Sequence, residues 1–288
     1  MSTWSPSRAR SLQQPSADSL GEHERAENFP VALAVLPAAL RTDLRAVYNV
    51  VRVIDELGDS AAGDRASALR DFAADVTTMW ESGKPQACVL RQLVPTVHRR
   101  GLQPQPFIDL IQANVQDQHV STYRTFDDLL RYCSLSAAPV GRIVLQVLGA
   151  GTPEQLLLSD QVCHALQLVE HWQDVAEDRR AGRIYLPQDD LQHFGVHTAD
   201  LDADRACPAL RHLVFFETDR AEAMLNSGAA LVGTLSGWGR LAVAGYVAGG
   251  RAAIDSVRRA HGDVLAGSPR VHRRDVVRHV LGELRRAR

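Results

Sequence analysis

Apolar side chains recur at helical spacing along most of the 288-residue chain, starting near residue 28. Glycine and proline interrupt this pattern at well-separated points, which predicts helices joined by short turns. No alternating run bounded by Asn-Gly or Asp-Gly indicates a strand. The interruptions fall at 37, 83–85, 101–106, 149–153, 182–187, 207–208 and 267–269. We therefore expect a single all-α domain of roughly ten helices.

The first 22 residues have a different character. They are rich in Ser, Pro, Gln and Arg and have no period, so we expect a disordered tail before a single domain at 23–288. No apolar run approaches the roughly 20 residues of a membrane span, and no charged-then-apolar leader opens the chain. We expect a cytoplasmic protein, and peripheral contact with the inner face of the membrane stays open.

The amino-acid composition limits the kinds of binding partner that we expect. The formal net charge of −2 gives no sign of a nucleic-acid partner. Lys84 is the only lysine, so nearly all positive charge is arginine, whose forked guanidinium suits phosphate groups. Four scattered cysteines without a CxxC pair argue against a zinc site and a disulfide framework. The oligomeric state stays open.

A first acidic segment lies at 47–59. Its valines and Ile54 repeat at helical spacing and form one apolar face. A second face carries side chains at i, i+4, i+7 and i+11, namely Tyr48, Arg52, Asp55 and Asp59. Two carboxylates one turn apart repel each other, and a bound cation between them would remove that cost.

A second acidic segment follows about 120 residues later, at 166–178. Read as one helix, it has a polar face with a similar spacing, formed by Gln167, Glu170, Asp174 and Asp178. The opposite face is apolar and consists of Ala165, Leu168, Val169, Trp172 and Val175. Arg183 comes shortly after the segment.

The two segments together predict a magnesium site. Mg²⁺ takes oxygen ligands, keeps several waters and usually shares its shell with substrate phosphates. Two carboxylate rows facing each other across a bundle would hold such ions over a diphosphate, with arginines contacting the phosphate oxygens. Either row alone is most simply a solvated polar face, so the prediction depends on the pairing.

These residues resemble the squalene/phytoene synthase family, and the resemblance extends from about residue 28 to residue 275. The sequence DELGD at 55–59 matches the first Asp-rich motif of that family, with Glu56 where a second Asp is usual. Asp174, Glu177 and Asp178 match the second motif, and GRIYLP at 182–187 matches the segment after it. The resemblance implies an isoprenoid-synthase-type helical bundle around a central cavity.

Within the family, the chain most resembles bacterial hydroxysqualene synthases of hopanoid biosynthesis. The similarity rests on HWQD at 171–174, YLPQDDL at 185–191, YCSLSAAPVGR at 132–142 and the glycine-rich stretch 241–250. It implies that presqualene diphosphate is ionised, that the cation rearranges, and that water captures it to give hydroxysqualene. The implied cofactor is Mg²⁺, and no NADPH is expected.

The resemblance also implies roles for individual residues. The diphosphate and cation pocket would be lined by Phe29, Tyr48, Arg52, Tyr132, Gln167, Arg183, Tyr185 and Tyr246. Metal ligands would come from Asp55, Glu56, Asp59, Glu170, Asp174 and Asp178. Two positions depart from the family pattern, since Glu170 stands where Asn is usual and Ala138 where the subgroup often has Asn. Glu170 adds a negative charge beside the other carboxylates.

Other functions remain open at this stage. The same two acidic segments would serve the condensation of two prenyl diphosphates to presqualene diphosphate, squalene or phytoene. A different class is an inactive helical partner subunit of a pathway complex, which the Glu170 departure favours. A di-metal carboxylate oxidase would need Glu-x-x-His pairs on facing helices, and none is evident.

Overall fold

The computed structural model describes residues 36–59 and 63–286. The expected N-terminal tail, 1–22, and the expected pocket residue Phe29 lie outside these ranges.

The described residues form ten helices of ten residues or more and three shorter ones. They are α1 Ala38–Asp59, α2 Arg65–Ser82, α3 Cys88–Arg100, α4 Gln105–Gln116, α5 Phe126–Ser136, α6 Ala138–Val147, α7 Pro153–Gln173, α8 Val175–Arg180, α9 Gln188–Phe194, α10 Pro208–Gly228, α11 Leu231–Thr234, α12 Gly237–Arg259 and α13 Arg273–Arg286. A 3₁₀ helix spans Thr198–Asp202. The all-α, single-domain prediction is confirmed. Six of the expected breaks fall at junctions between helices, and the break at 37 comes directly before α1.

Local chemistry sets the helix ends. α2 begins after Asp64, whose Oδ1 accepts the N–H of Ser67 at 3.0 Å. It ends at Gly83, whose φ of 68° lies in the left-handed region that glycine adopts without strain. α7 begins with a capping box between Thr152 and Gln155. Of these features, the glycine at 83 was among the expected breaks, whereas the cap at Asp64 was not predicted from the sequence.

Two groups of buried apolar side chains form the interior. One joins α1, α2, α3 and α4, and the other joins α5, α7, α10 and α12. Side chains of α6 belong to both groups, so this helix connects the two halves. The apolar face of α1 is buried at Val47, Val50 and Ile54, as predicted, while Val51 is only half-buried.

The prediction that the second acidic segment is one helix is wrong. α7 ends at Gln173, Asp174 has non-helical φ and ψ of −105° and 17°, and α8 begins at Val175. Ser268 Oγ donates a 2.6 Å hydrogen bond to Asp174 Oδ1. Aspartate favours helix ends because its carboxylate competes with the backbone for hydrogen bonds. The predicted apolar face of the segment is nevertheless buried throughout.

Residues 117–125 form a connection between α4 and α5 that the sequence pattern did not predict. This connection pairs with the segment after α8: Ile184 N–H donates to Ser121 O at 2.8 Å, and Gln188 N–H to Tyr123 O at 2.9 Å. The pairing includes an isolated parallel β-bridge. This pairing holds together two chain segments that are far apart in the sequence.

Within the described ranges, no helix is both long and apolar enough to cross a bilayer. The four cysteines are free thiols, as their scattered spacing predicted.

Candidate active site

The first acidic segment is held against α4 by a close helix crossing. A Cβ added to Gly58 would lie 2.1 Å from Asn114 Oδ1, so only glycine leaves room for this approach. Gln118 Nε2 also donates to Gly58 O at 3.0 Å. The crossing brings the carboxyl end of α1, with Asp59, next to the end of α4, where Asp117 lies.

Arg183 connects the two acidic segments. Its Nη2 lies 3.2 Å from Asp59 Oδ1 at the end of α1. Its positive charge also acts on Asp178, where it lowers the pKa of the carboxyl against the stronger effect of burial. Asp59 and Asp178 therefore both lie within the electrostatic reach of one guanidinium.

Asp117 adds a carboxyl group to this region that the motifs did not contain. Its Oδ2 accepts a 2.9 Å hydrogen bond from the hydroxyl of Tyr132, while its Oδ1 is buried without a hydrogen-bond partner in the described structure. Burial raises the pKa of Asp117 to about 6, and the nearby charge of Asp59 adds to the rise. Arg183 and the Tyr132 hydroxyl act in the opposite direction.

Four aromatic rings form a cluster beside these charges. His171 and Tyr185 stack with ring centroids 3.6 Å apart, and Tyr132 and Tyr123 lie 5.9 Å from Tyr185. The backbone pairing of 121–124 with the segment after α8 holds Tyr123 and Tyr185 next to each other. Burial, together with the charge of Arg183, lowers the pKa of His171 to about 3. The imidazole is therefore neutral near pH 7.

Negative charge accumulates at the second acidic segment. Burial and the carboxylates of Asp174, Glu170 and Glu177 together raise the pKa of Asp178 to about 7, although Arg183 acts to lower it. A carboxyl group with this pKa is partly protonated near neutral pH. A cation placed among these oxygens would relieve the repulsion.

Two hollows of the described structure bear on this site. The first spans about 200 Å³, partly open to solvent, and combines polar and ring side chains, namely His171, Asp178, Arg183 and Tyr185, with the apolar residues beside them. The second spans about 410 Å³, also partly open to solvent, and is lined almost entirely by apolar side chains from α6, α7, α11 and α12, with Tyr246 among them. A charged hollow and an apolar hollow suit a molecule with a polar head and hydrocarbon chains.

The remaining predicted residues of α1 lie along one side of the helix. Arg52 Nε is 3.3 Å from Glu56 Oε1, so this arginine forms an ion pair on its own helix. Tyr48 and Asp55 are half-buried. Asp59 is the most exposed of this set, and it forms an ion pair with Arg183 beyond the second segment.

On α7, Gln167 Nε2 lies 3.3 Å from His171 Nε2, which places Gln167 next to the ring cluster. Glu170 is exposed in the last turn and is close enough to Asp178 to raise its pKa. Tyr246 lies in the apolar hollow, away from the stacked rings. Of the predicted pocket residues, Arg183 and Tyr185 line the charged hollow and Tyr246 lines the apolar one.

The carboxylates of the two acidic segments suit a magnesium ion that takes only some of its ligands from the protein. In the part of the chain that the structure describes, no three His, Cys, Asp or Glu side chains converge closely enough to hold a metal ion. Mg²⁺ usually binds through one or two carboxylates, several waters and substrate phosphates, so an incomplete protein site fits it. Asp55, Asp59, Asp174 and Asp178 supply oxygen ligands of the kind that Mg²⁺ prefers.

Sequence reasoning missed three residues of this region. Asp117 and Ser268 stand in non-helical connections, where spacing along a helix carries no information. His171 was noted for its neighbours in the sequence, but its stacking on Tyr185 depends on the chain pairing after α8. The short polar run DQHVST at 117–122 was the available signal for the unpredicted connection.

The chain is similar to known proteins along most of its length. The squalene/phytoene synthase family model matches residues 23–276. Hydroxysqualene synthase of Rhodopseudomonas palustris is 33% identical over 214 residues, covering 73% of this chain and 72% of that protein. Phytoene synthase 1 of Arabidopsis thaliana is 31% identical over 227 residues, covering 74% of this chain and 52% of that protein.

A solved structure extends the similarity to three dimensions. Squalene synthase HpnC from Alicyclobacillus acidocaldarius superposes with a TM-score of 0.78 at 35% sequence identity, covering 89% of this chain and 94% of that one. The family match covers most of the chain and includes both acidic segments. The chain therefore belongs to the squalene/phytoene synthase family, whose enzymes process isoprenoid diphosphates.

Proposed function

We propose that this enzyme converts presqualene diphosphate to hydroxysqualene and diphosphate, with Mg²⁺ and without NADPH. The single observation that carries the proposal is the meeting of Asp59 and Asp178 around Arg183, beside a hollow lined by neutral rings. Relatives named hydroxysqualene synthase, at 33% and 34% identity, favour this reaction over others of the family.

The diphosphate would bind between the two acidic segments. Arg183 would contact the phosphate oxygens through its forked donors, and Arg52 lies on the same face of α1 as Asp55 and Asp59. Asp55, Asp59, Asp174 and Asp178 would hold Mg²⁺, with Glu56 and Glu170 as further candidates. The bound metal would supply Lewis-acid stabilisation of the leaving diphosphate.

The ring cluster would face the carbocation. Burial raises the pKa of the Tyr132 and Tyr123 hydroxyls above the usual range, so both rings stay neutral. Neutral His171 adds no positive charge near the cation. The π faces of Tyr132, Tyr185 and Tyr123 would stabilise positive charge without supplying a nucleophile, and Tyr246 would contact the hydrocarbon chains in the apolar hollow.

The decisive experiment gives the purified enzyme either presqualene diphosphate or farnesyl diphosphate, with Mg²⁺ and without NADPH. Hydroxysqualene from presqualene diphosphate alone is the expected product. Formation of presqualene diphosphate from farnesyl diphosphate would move the reaction one step earlier. Turnover of neither substrate would contradict the proposal and favour an inactive partner subunit.

The condensation of two prenyl diphosphates is the second candidate. The similarity to phytoene synthase 1 supports it, because the same acidic segments would serve that reaction. The two reactions differ in whether the apolar hollow holds one large substrate or two smaller ones. The assay with presqualene diphosphate and farnesyl diphosphate distinguishes them.

A further inference from the structure

The last helix, α13, buries its two acidic residues and exposes two large aliphatic ones. Asp275 and Glu283 are 4% and 3% exposed, although both are acidic. They form ion pairs with α12: Arg259 Nη1 lies 2.8 Å from Asp275 Oδ2, and Arg251 Nε lies 2.6 Å from Glu283 Oε1. This helix is therefore attached to the bundle by ion pairs on its inner face.

The outer face of α13 has the opposite composition. Val277 and Leu281 are 58% and 51% exposed, among the most exposed large apolar side chains in the described structure. They are four residues apart and so lie on the same side of the helix. Arg274 precedes Val277 by three residues and Arg285 follows Leu281 by four, which places both arginines on that side.

The net charge of this surface is positive. Residues 270–286 contain six arginines and two acidic residues, and both acids are buried on the inner face. Arg278 is paired with Asp255 and Asp275, and Arg286 lies near Glu283. No ion pair in the described ranges joins Arg274 or Arg285 to an acid. Two aliphatic side chains flanked by uncompensated arginines favour a negatively charged apolar boundary over water.

We propose that the outer face of α13 docks on an anionic lipid bilayer. Lipid headgroup phosphates would contact Arg274 and Arg285, and Val277 and Leu281 would enter the interface between headgroups and acyl chains. Because the apolar area is small, the arginines supply most of the attraction, and salt weakens the binding. Docking is therefore reversible.

The docking face is connected to the acidic site. Ser268, five residues before α13 begins, donates to Asp174 Oδ1 at 2.6 Å. Gln173 Nε2 donates to Pro269 O at 2.8 Å in the same connection. Docking through α13 would keep the site close to the bilayer. The benefit of docking for catalysis rests on the proposed function, because the proposed substrate and product carry long hydrocarbon chains. Binding of α13 to the bilayer does not depend on that function.

The test is sedimentation of the full-length protein with phosphatidylcholine vesicles that contain or lack phosphatidylglycerol. We expect binding only with phosphatidylglycerol, and loss of binding at high salt. The double variant Arg274→Glu/Arg285→Glu should bind at least about tenfold more weakly. Val277→Ser/Leu281→Ser should also bind more weakly. The matched control Arg70→Glu/Arg91→Glu changes two exposed arginines of α2 and α3 and should bind like the unchanged protein.

Turnover of a detergent-dispersed substrate should be the same in the α13 variants and the unchanged protein. The turnover measurement tests the proposed reaction, and vesicle binding tests the docking proposal, so failure of one is distinguished from failure of the other. Equal vesicle binding by all the variants would overturn the proposal, as would equal binding to vesicles without anionic lipid. A dimer in light scattering that the Val277→Ser/Leu281→Ser variant loses would also overturn it, by showing that a second copy covers this face.

Discussion

Arg183 Nη2 lies 3.2 Å from Asp59 Oδ1, although the two residues are 124 positions apart in the chain. The contact joins the end of α1 to the segment that follows α8. It also places one guanidinium where the two acidic segments approach each other. A positive charge here has two uses, because it offsets the charge of adjacent carboxylates and offers forked donors to a diphosphate.

Replacing this guanidinium should therefore remove activity without unfolding the bundle. We expect Arg183→Gln to lower kcat/KM by about 100-fold or more, with an unchanged helical circular dichroism spectrum. Arg180→Gln is the matched control, because Arg180 is exposed and its Nε donates only to Ala176 O of its own helix. Equal activity of the two variants would contradict the role of Arg183.

Each acidic segment can be tested separately. Asp55→Ala and Asp174→Ala should each abolish turnover and leave the helical circular dichroism intact, since both side chains are at least partly accessible and neither belongs to the apolar core. Product formation at saturating Mg²⁺ is the measurement. Near-normal activity in both variants would count against the proposed metal ligands.

Gly58 should be indispensable for the packing of the first acidic segment. Gly58→Ala places a Cβ against Asn114, and we expect a stability loss of about 1–3 kcal/mol with reduced activity. Thermal unfolding and turnover are the measurements. Gly249→Ala is the control: a Cβ there meets nothing within 4 Å, so a neutral or stabilising effect is expected.

A second change tests the cause of that loss. Asn114→Ala removes the side chain that would clash, so the double variant Gly58→Ala/Asn114→Ala should recover part of the lost stability. No recovery would mean that Gly58 acts through backbone freedom and not through the helix crossing.

Asp117 and Tyr132 should act as a unit. The hydroxyl of Tyr132 donates to Asp117 Oδ2 at 2.9 Å, so Asp117→Asn and Tyr132→Phe both disturb the same hydrogen bond. We expect each to lower kcat, and the double variant to be no worse than the poorer single one, with an interaction energy of about 1–3 kcal/mol. Strictly additive losses in the thermodynamic cycle would show that the two side chains act independently.

Asp178 should make stability depend on pH. Its pKa of about 7 in the folded enzyme is above the usual carboxyl value of about 4, so the folded state holds a proton that the unfolded state releases. This contribution to stability is present at low pH, declines as pH rises from about 4 to about 7, and is constant above that.

The measurement is the thermal midpoint of the unchanged enzyme and of Asp178→Asn across this range, without Mg²⁺. The variant has no ionisable group at this position, so its advantage over the unchanged enzyme should grow from pH 4 to pH 7 and then level off. A difference that stays constant with pH would show that the pKa of Asp178 is not raised. Comparing the two proteins removes the parallel effects of Asp117 and Glu217, whose pKa values are also raised.

The sequence by itself determined the helical class, the breaks marked by glycine and proline, and the positions of both acidic segments. The reason is that helical spacing, capping residues and glycine or proline breaks act over a few neighbouring positions. The buried faces of α1 and α7 followed from the same periodicity, and Asp55, Asp59, Asp174 and Asp178 were identified by their spacing.

Only the tertiary structure decided what surrounds those carboxylates. The break at Asp174 accompanies a hydrogen bond from Ser268, 94 positions away, and the ring cluster depends on pairing between 121–124 and the segment after α8. Asp117 lies near Asp59 because Gly58 allows α4 to pack closely against α1. Contacts between distant segments depend on how whole helices pack, and the periodicity of a single segment carries no information about its partner.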